Sequence, residues 1–175
     1  MSKLFVESNQ FHNLSLELAK KVENSNFKPD AIVALTRGGC VPGIVIHEYL
    51  NYKGIYCNYY TISTKLYDNE NNIGNKVFID VSEHTKKKLK SCNNILIVDD
   101  VFDTGYTMLN LCDYLFVKLD ITSEKTKIAT VYYKPNKNET TIIPDFYVQA
   151  REEWIVFPHE LIGLSQEEIV FKFRS

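Results

Sequence analysis

Residues 31–35, Ala-Ile-Val-Ala-Leu, and residues 95–98, Ile-Leu-Ile-Val, are apolar without a break, and each gives way at once to a polar turn and then a helical pattern. Runs this short and this evenly apolar read as strands buried on both faces rather than as amphipathic helices. A strand buried on both faces needs helices above and below it. Where such strands alternate with helical segments, right-handed crossovers and a mostly parallel sheet follow. Other segments keep the rhythm. Phe11, Leu14, Leu18 and Val22 share one face at helical spacing. Residues 41–50 read as a helix with Pro42 in its first turn. Residues 55–63 form a second strand, rich in β-forming side chains, and 77–81 a short one. A short helix over 82–90, a helix over 107–119 and a strand over 127–133 complete the alternation. The expected class is α/β, a mostly parallel central sheet with helices on both faces.

Two segments depart from that pattern. Residues 64–76 are polar, Asn-rich and aperiodic, and are expected to form a long loop of the kind that serves as a lid. Residues 135–175 carry three of the five prolines and the only tryptophan. They are expected to form a small C-terminal hood at the sheet's edge. A chain of 175 residues suffices for one core, so the expected organisation is a single domain, its core about 1–134 and its hood about 135–175.

Composition narrows the partners. A formal net charge of −2 gives no global electrostatic reason to bind nucleic acid or an anionic membrane. The one basic run, 84–90, reads as a solvated helix face. The cysteines at 40, 57, 92 and 112 show neither CxxC nor paired spacing with His, so neither a cysteine metal cage nor a disulfide framework is suggested. With no signal peptide and no long apolar span, a cytoplasmic location is expected.

The chemistry gathers after the second apolar run. Asp99 and Asp100 follow Val98, and the turn through Asp103, Thr104, Gly105, Tyr106 and Thr107 leads into a helix. Ligands of open parallel sheets bind beyond the carboxyl ends of the strands. The first amides of a helix lack intrahelical partners, and with the helix dipole they favour a phosphate. Thr104 and Thr107 add hydroxyl donors, and Gly105 permits close backbone approach. Carboxylates cannot bind that phosphate, but they suit sugar hydroxyls or a magnesium ion. One strand end can thus hold a ribose 5-phosphate. An isolated acid pair would merely cap a turn; three acids, two threonines and a glycine together ask for more.

This stretch resembles the phosphoribosyl pyrophosphate loop of the type I phosphoribosyltransferases: a hydrophobic strand, two acids, then D-T-G-x-T. Tyr106 stands where relatives often carry a small residue. Residues 34–43, with Thr36, Arg37, Gly38 and Gly39, are similar to the family's pyrophosphate loop, although alone they would read as a tight strand-to-helix turn. By analogy with that loop, the Thr36–Arg37 peptide is expected to be cis. Residues 64–76 fall where the family keeps its flexible catalytic loop. Residues 132–135 and 154–160 resemble the purine site of the short 6-oxopurine enzymes. Alone, Trp154 would read as a core tryptophan and Lys134 as a turn lysine before Pro135.

The resemblance implies that Lys134 meets purine O6 and N7, Trp154 stacks on the ring and the Ile155 carbonyl meets the base edge. Glu160 falls where relatives place an acid near a second magnesium, and His159 stands where some relatives have an aromatic residue. Asp99 and Asp100 are implied to hold the ribose diol and Mg2+, and Asp103 to act as general base. The implied activity is transfer of ribose 5-phosphate from phosphoribosyl pyrophosphate to N9 of a 6-oxopurine, guanine or hypoxanthine and possibly xanthine. Its partners are small-molecule substrates, and a homo-oligomer, dimer or higher, is expected. Two other functions fit parts of the pattern: a regulatory protein keeping the fold as a ligand sensor, and a transferase for another nucleobase. The absence of a broad basic surface in the composition weighs against the first, and Lys134 against the second.

Overall fold

The computed structural model describes residues 2–66 and 77–174. Its elements follow in the order β1 (Lys3–Phe5), α1 (Ser8–Glu23), β2 (Ala31–Thr36), α2 (Cys40–Tyr52), β3 (Asn58–Leu66), β4 (Val77–Asp80), α3 (Glu83–Leu89), β5 (Ile95–Phe102), α4 (Tyr106–Leu119), β6 (Thr126–Tyr133), β7 (Phe146–Ala150), β8 (Trp154–Val156) and α5 (Gln166–Arg174). Six strands form one sheet in the order β4-β3-β2-β5-β6-β7, and β1 pairs with β8 in a second, two-stranded sheet. All pairs in the large sheet are parallel except β3 with β4. The α/β class with a mostly parallel sheet is as the sequence indicates.

Strand alternation divides the core into two layers. Ala31, Val33 and Leu35 of β2, with Ile95 and Ile97 of β5, pack against Leu89 of α3 and Met108, Leu111 and Leu115 of α4. Ile32, Leu96 and Val98 point the other way, onto Phe11, Leu14, Leu18 and Val22 of α1 and Ile46 and Leu50 of α2. The unbroken apolar runs are thus covered from both sides. No helix among the described residues is long and apolar enough to cross a membrane.

Several boundaries differ from the sequence reading. The strand expected to stop at Val98 continues to Phe102, pairing Asp99 with Thr130, Val101 with Tyr132 and Phe102 with Tyr133. The two acids therefore sit inside the last turns of β5, because β6 runs on beside it and satisfies the backbone. The polar segment from 64 is also less of a loop than its composition suggests. Thr64 and Lys65 continue β3 and pair with Ile79 and Phe78 of β4. Residues 67–76, the rest of the expected lid, lie outside the described residues. In the tail, β7 adds a parallel strand to the edge of the large sheet beside β6. β1 and α5 had no counterpart in the sequence reading.

Candidate active site

Between β2 and β5 the strand order reverses: β3 extends the sheet on one side and β6 on the other. Such a switch point opens a crevice at the carboxyl ends of the two strands. β2 ends at Thr36, the turn after it holds Arg37, Gly38 and Gly39, and the end of β5 holds Asp99 and Asp100. A cleft of about 1060 Å3 opens there, lined by Thr36, Arg37, Gly38, Val41, Ser63, Thr64, Lys65, Asp100, His159, Glu160, Leu161 and Ile162. Six residues singled out from sequence, Thr36, Arg37, Gly38, Asp100, His159 and Glu160, meet on this one cavity.

The Thr36–Arg37 peptide is cis, as expected. The loop that follows is pressed onto the acids. A Cβ built on Gly38 would lie 2.0 Å from Oδ2 of Asp100, and one on Gly39 would lie 2.3 Å from the Val98 carbonyl. Only glycine allows the two strand ends to approach so closely. Asp99 Oδ1 accepts from the Asp100 amide at 3.0 Å, and Asp100 Oδ1 accepts from the Val101 amide at 2.8 Å. His159 Nε2 stands 3.8 Å from Asp100 Oδ2.

Burial shapes these charges. It pushes the Asp99 carboxyl well above the usual carboxylate range, and the neighbouring Asp100 charge adds to the effect. Asp100 is raised to about 6, again mainly by burial, with the Glu160 charge acting in the same direction. Burial, followed by the charges of Lys172 and Arg37, holds the His159 imidazole below its ordinary value, against the pull of Glu160. Asp100 is more readily protonated in the fold than in the unfolded chain, so the stability it contributes is present below about pH 4 and lost as pH rises to about 6. Without ligand, Asp100→Asn should therefore melt at a higher temperature than wild type at pH 7, by several degrees at most. The advantage should vanish near pH 4. Thermal melts across that range check this, and a gain independent of pH would show that the buried charge is not its source.

Two adjacent acids that resist ionisation suit partners that bring positive charge or hydroxyl donors. Among the described residues, no three His, Cys, Asp or Glu side chains are arranged to hold a metal ion by themselves. The Glu160 carboxylate turns back to accept from the Phe157 amide at 3.1 Å. Magnesium is commonly held by one or two carboxylates together with substrate phosphates and water. Asp99 and Asp100 fit that shared form of binding better than an all-protein cage.

Beyond β5 lies a second part of the site. Gly105, at φ +88°, starts α4, whose first turn contains Tyr106 and Thr107. Residues 136–140 cross over this loop: the Glu139 amide donates to the Thr104 carbonyl at 3.0 Å, and Tyr106 Oη donates to Glu139 Oε2 at 2.9 Å. A Cβ on Gly105 would lie 2.4 Å from Thr140 Oγ1 and 2.8 Å from Asn138 Oδ1. Gly105→Ala adds this clash to a left-handed backbone. It should destabilise the chain by roughly 1–3 kcal/mol. Urea unfolding reports the effect, and an unchanged stability would remove the glycine requirement.

Lys134 follows β6, its side chain buried, and its Nζ donates to Asp103 Oδ2 at 2.9 Å. Lys137 Nζ lies 3.7 Å from Oδ1 of the same carboxylate, a buried oxygen without a hydrogen-bond partner among the described residues. Trp154 starts β8 and is 57% exposed, while Ile155 is buried. The Trp154 amide donates to the Ser2 carbonyl, and the Val156 carbonyl accepts from the Val6 amide. Peptide alternation turns the Ile155 carbonyl to the opposite edge of β8, away from β1. Sequence reasoning placed Asp103 and Lys134 in one site and the structure brings them into contact. It missed Lys137, whose only signal was its position three residues after Lys134 in a Pro-containing turn.

The family described as the phosphoribosyl transferase domain matches residues 7–161. A xanthine-guanine phosphoribosyltransferase of Idiomarina loihiensis is 30% identical over 162 residues, covering 91% of this chain and 88% of that protein. A protein of the same name from Cereibacter sphaeroides is 29% identical over 163 residues, covering 89% and 86%. Among solved structures, a purine phosphoribosyltransferase from Pyrococcus horikoshii superposes with a TM-score of 0.71 at 28% identity, covering 95% of this chain and 99% of that one. A cleft at the switch point with glycines pressed on paired acids, and a sequence matched across most of its length, lead to one assignment: this chain belongs to the phosphoribosyltransferase family of enzymes.

Proposed function

We propose that the protein transfers ribose 5-phosphate from phosphoribosyl pyrophosphate to N9 of a 6-oxopurine and releases pyrophosphate. The observation that carries this reading is the buried Lys134 ammonium on Asp103, one strand away from the paired acids. A buried cation and a carboxylate side by side suit a purine, whose O6 accepts and whose ring N–H donates. The two relatives named above bear names that include xanthine and guanine, both 6-oxopurines.

In this mechanism the transition state resembles an oxocarbenium ion, so the site must stabilise charge that separates at C1 of the ribose. The ribose diol donates to Asp99 and Asp100, and the amides of Gly105, Tyr106 and Thr107, with the Thr104 and Thr107 hydroxyls, hold the 5-phosphate. Arg37, through its guanidinium and amide, and the Gly38 amide hold the pyrophosphate, with Thr36 at the edge of that loop; the Gly39 amide instead donates to the Leu35 carbonyl at 3.0 Å and shapes the turn. Asp99 and Asp100, with Glu160 near by, would hold Mg2+, which would supply positive charge beside the leaving pyrophosphate. Asp103 takes the proton from the purine as N9 attacks. Lys134 meets O6 and N7, Trp154 stacks on the ring, and the Ile155 carbonyl accepts from the C2 edge.

The same reading places the enzyme in the cytoplasm as a homo-oligomer of single-domain chains, residues 1–134 forming the core and 135–175 the hood. Purified protein incubated with Mg2+, phosphoribosyl pyrophosphate and each common nucleobase tests it. Nucleotide should form with 6-oxopurines; binding of phosphoribosyl pyrophosphate without any nucleotide product would make the protein a sensor instead.

A further inference from the structure

Asp103 is flanked by two lysines, and only Lys134 meets the base. Lys134 Nζ donates to Oδ2 at 2.9 Å, whereas Lys137 Nζ stops 3.7 Å from Oδ1. That oxygen is buried and has no hydrogen-bond partner among the described residues. A buried carboxylate oxygen without a donor is costly, and an ammonium just beyond bonding distance is the nearest remedy.

The position of Lys137 is built from both sides. The amides of Lys137 and Asn138 both donate to the Lys134 carbonyl, at 3.1 and 3.2 Å, so one tight turn points two ammonium groups at one carboxylate. Beyond the turn, Asn138 Nδ2 donates to Tyr133 Oη at 3.2 Å, and the Glu139 amide is tied to Thr104. Segment 136–140 is thereby fixed to β6 on one side and to the loop carrying Asp103 on the other.

The donor count explains the need for a second cation. The three donors of Lys134 can hold Oδ2 and reach O6 and N7 of a base, which leaves none for Oδ1. Held through Oδ2 alone, the Asp103 carboxylate is free to rotate just when its orientation matters. We propose that Lys137 is a positioning residue that closes on Oδ1 of Asp103 when Lys134 engages the purine. Closing from 3.7 Å to a charge-assisted bond of about 2.8 Å requires only a small shift of a long side chain. This inference rests on the functional reading above.

The test uses the full chain with Mg2+, phosphoribosyl pyrophosphate and guanine. Lys137→Met should lower kcat roughly ten- to a hundredfold, less than loss of the base itself, while KM for phosphoribosyl pyrophosphate stays within about twofold. Lys137→Arg should restore most of the lost kcat. In an Asp103→Asn background, adding Lys137→Met should change kcat by less than about twofold, because the group it positions is already gone. A kcat near wild type in Lys137→Met overturns the proposal, as does a full additive loss in the double variant. A rise confined to KM for phosphoribosyl pyrophosphate also overturns it and makes Lys137 a phosphate contact. Wild-type protein that turns over no 6-oxopurine would overturn the functional reading itself, an outcome distinct from all of these.

Discussion

Asp103→Asn should reduce turnover by roughly 100- to 10,000-fold, the range of general-base effects, with much smaller change in the binding of phosphoribosyl pyrophosphate. Asparagine keeps the size of the side chain and one oxygen to accept from Lys134, now at 2.9 Å. It removes the basic carboxylate and places an amide N–H where the unpartnered Oδ1 now sits. Both changes fall on the proton-accepting step and neither touches the strand end that carries Asp99 and Asp100. Single-turnover rates and a binding titration separate the two quantities. Turnover within about threefold of wild type, a difference below roughly 1 kcal/mol, rules Asp103 out as the base.

The second large effect is base choice. The Lys134 ammonium is buried, with three donors and no acceptor. Guanine, hypoxanthine and xanthine present an O6 acceptor to it, whereas adenine presents an amino donor and leaves only N7 to accept. An unmet buried polar group costs about 1–3 kcal/mol, and more when charged. Adenine should therefore react roughly ten- to several-hundredfold less efficiently, the asymmetric rejection of a site built to bond one group. Among 6-oxopurines the C2 substituent decides. The Ile155 carbonyl is turned away from β1, and an acceptor there suits the guanine amine better than a xanthine oxygen. Guanine and hypoxanthine should lead. Measured kcat/KM for the four purines tests both steps: adenine equal to guanine removes Lys134 from its role, and xanthine in the lead removes Ile155 from its own.

What could be read from the sequence followed from signals that are local along the chain. The runs at 31–35 and 95–98 declare strands covered on two faces, and the helical spacing of Phe11, Leu14, Leu18 and Val22 declares one of the covering layers. The acid-rich turn after Val98 locates the ligand crevice, because its residue types make little sense in a mere cap. The extension of β5 through Asp99 and Asp100 was hidden, since carboxylates are poor strand formers and only the neighbouring β6 backbone makes the ladder possible. The pairing of β1 with β8 was hidden too. Each contributes three residues, too few for any periodicity, and the partners are far apart in sequence. Lys137 was missed because its meaning lies in a distance to Asp103, which no spacing along residues 103–137 encodes.

The β1–β8 pair also orders events in time. Lys3 lies opposite Trp154, so this small sheet joins residues 151 positions apart. Closing so long a loop has an entropic cost that must be met before the contacts reward it. A ribosome has joined Ser2–Val6 and all of β2, β5 and β6 before it reaches Trp154. The central strands of the large sheet are therefore made first, while β1 has no partner to pair with until Trp154–Val156 follow.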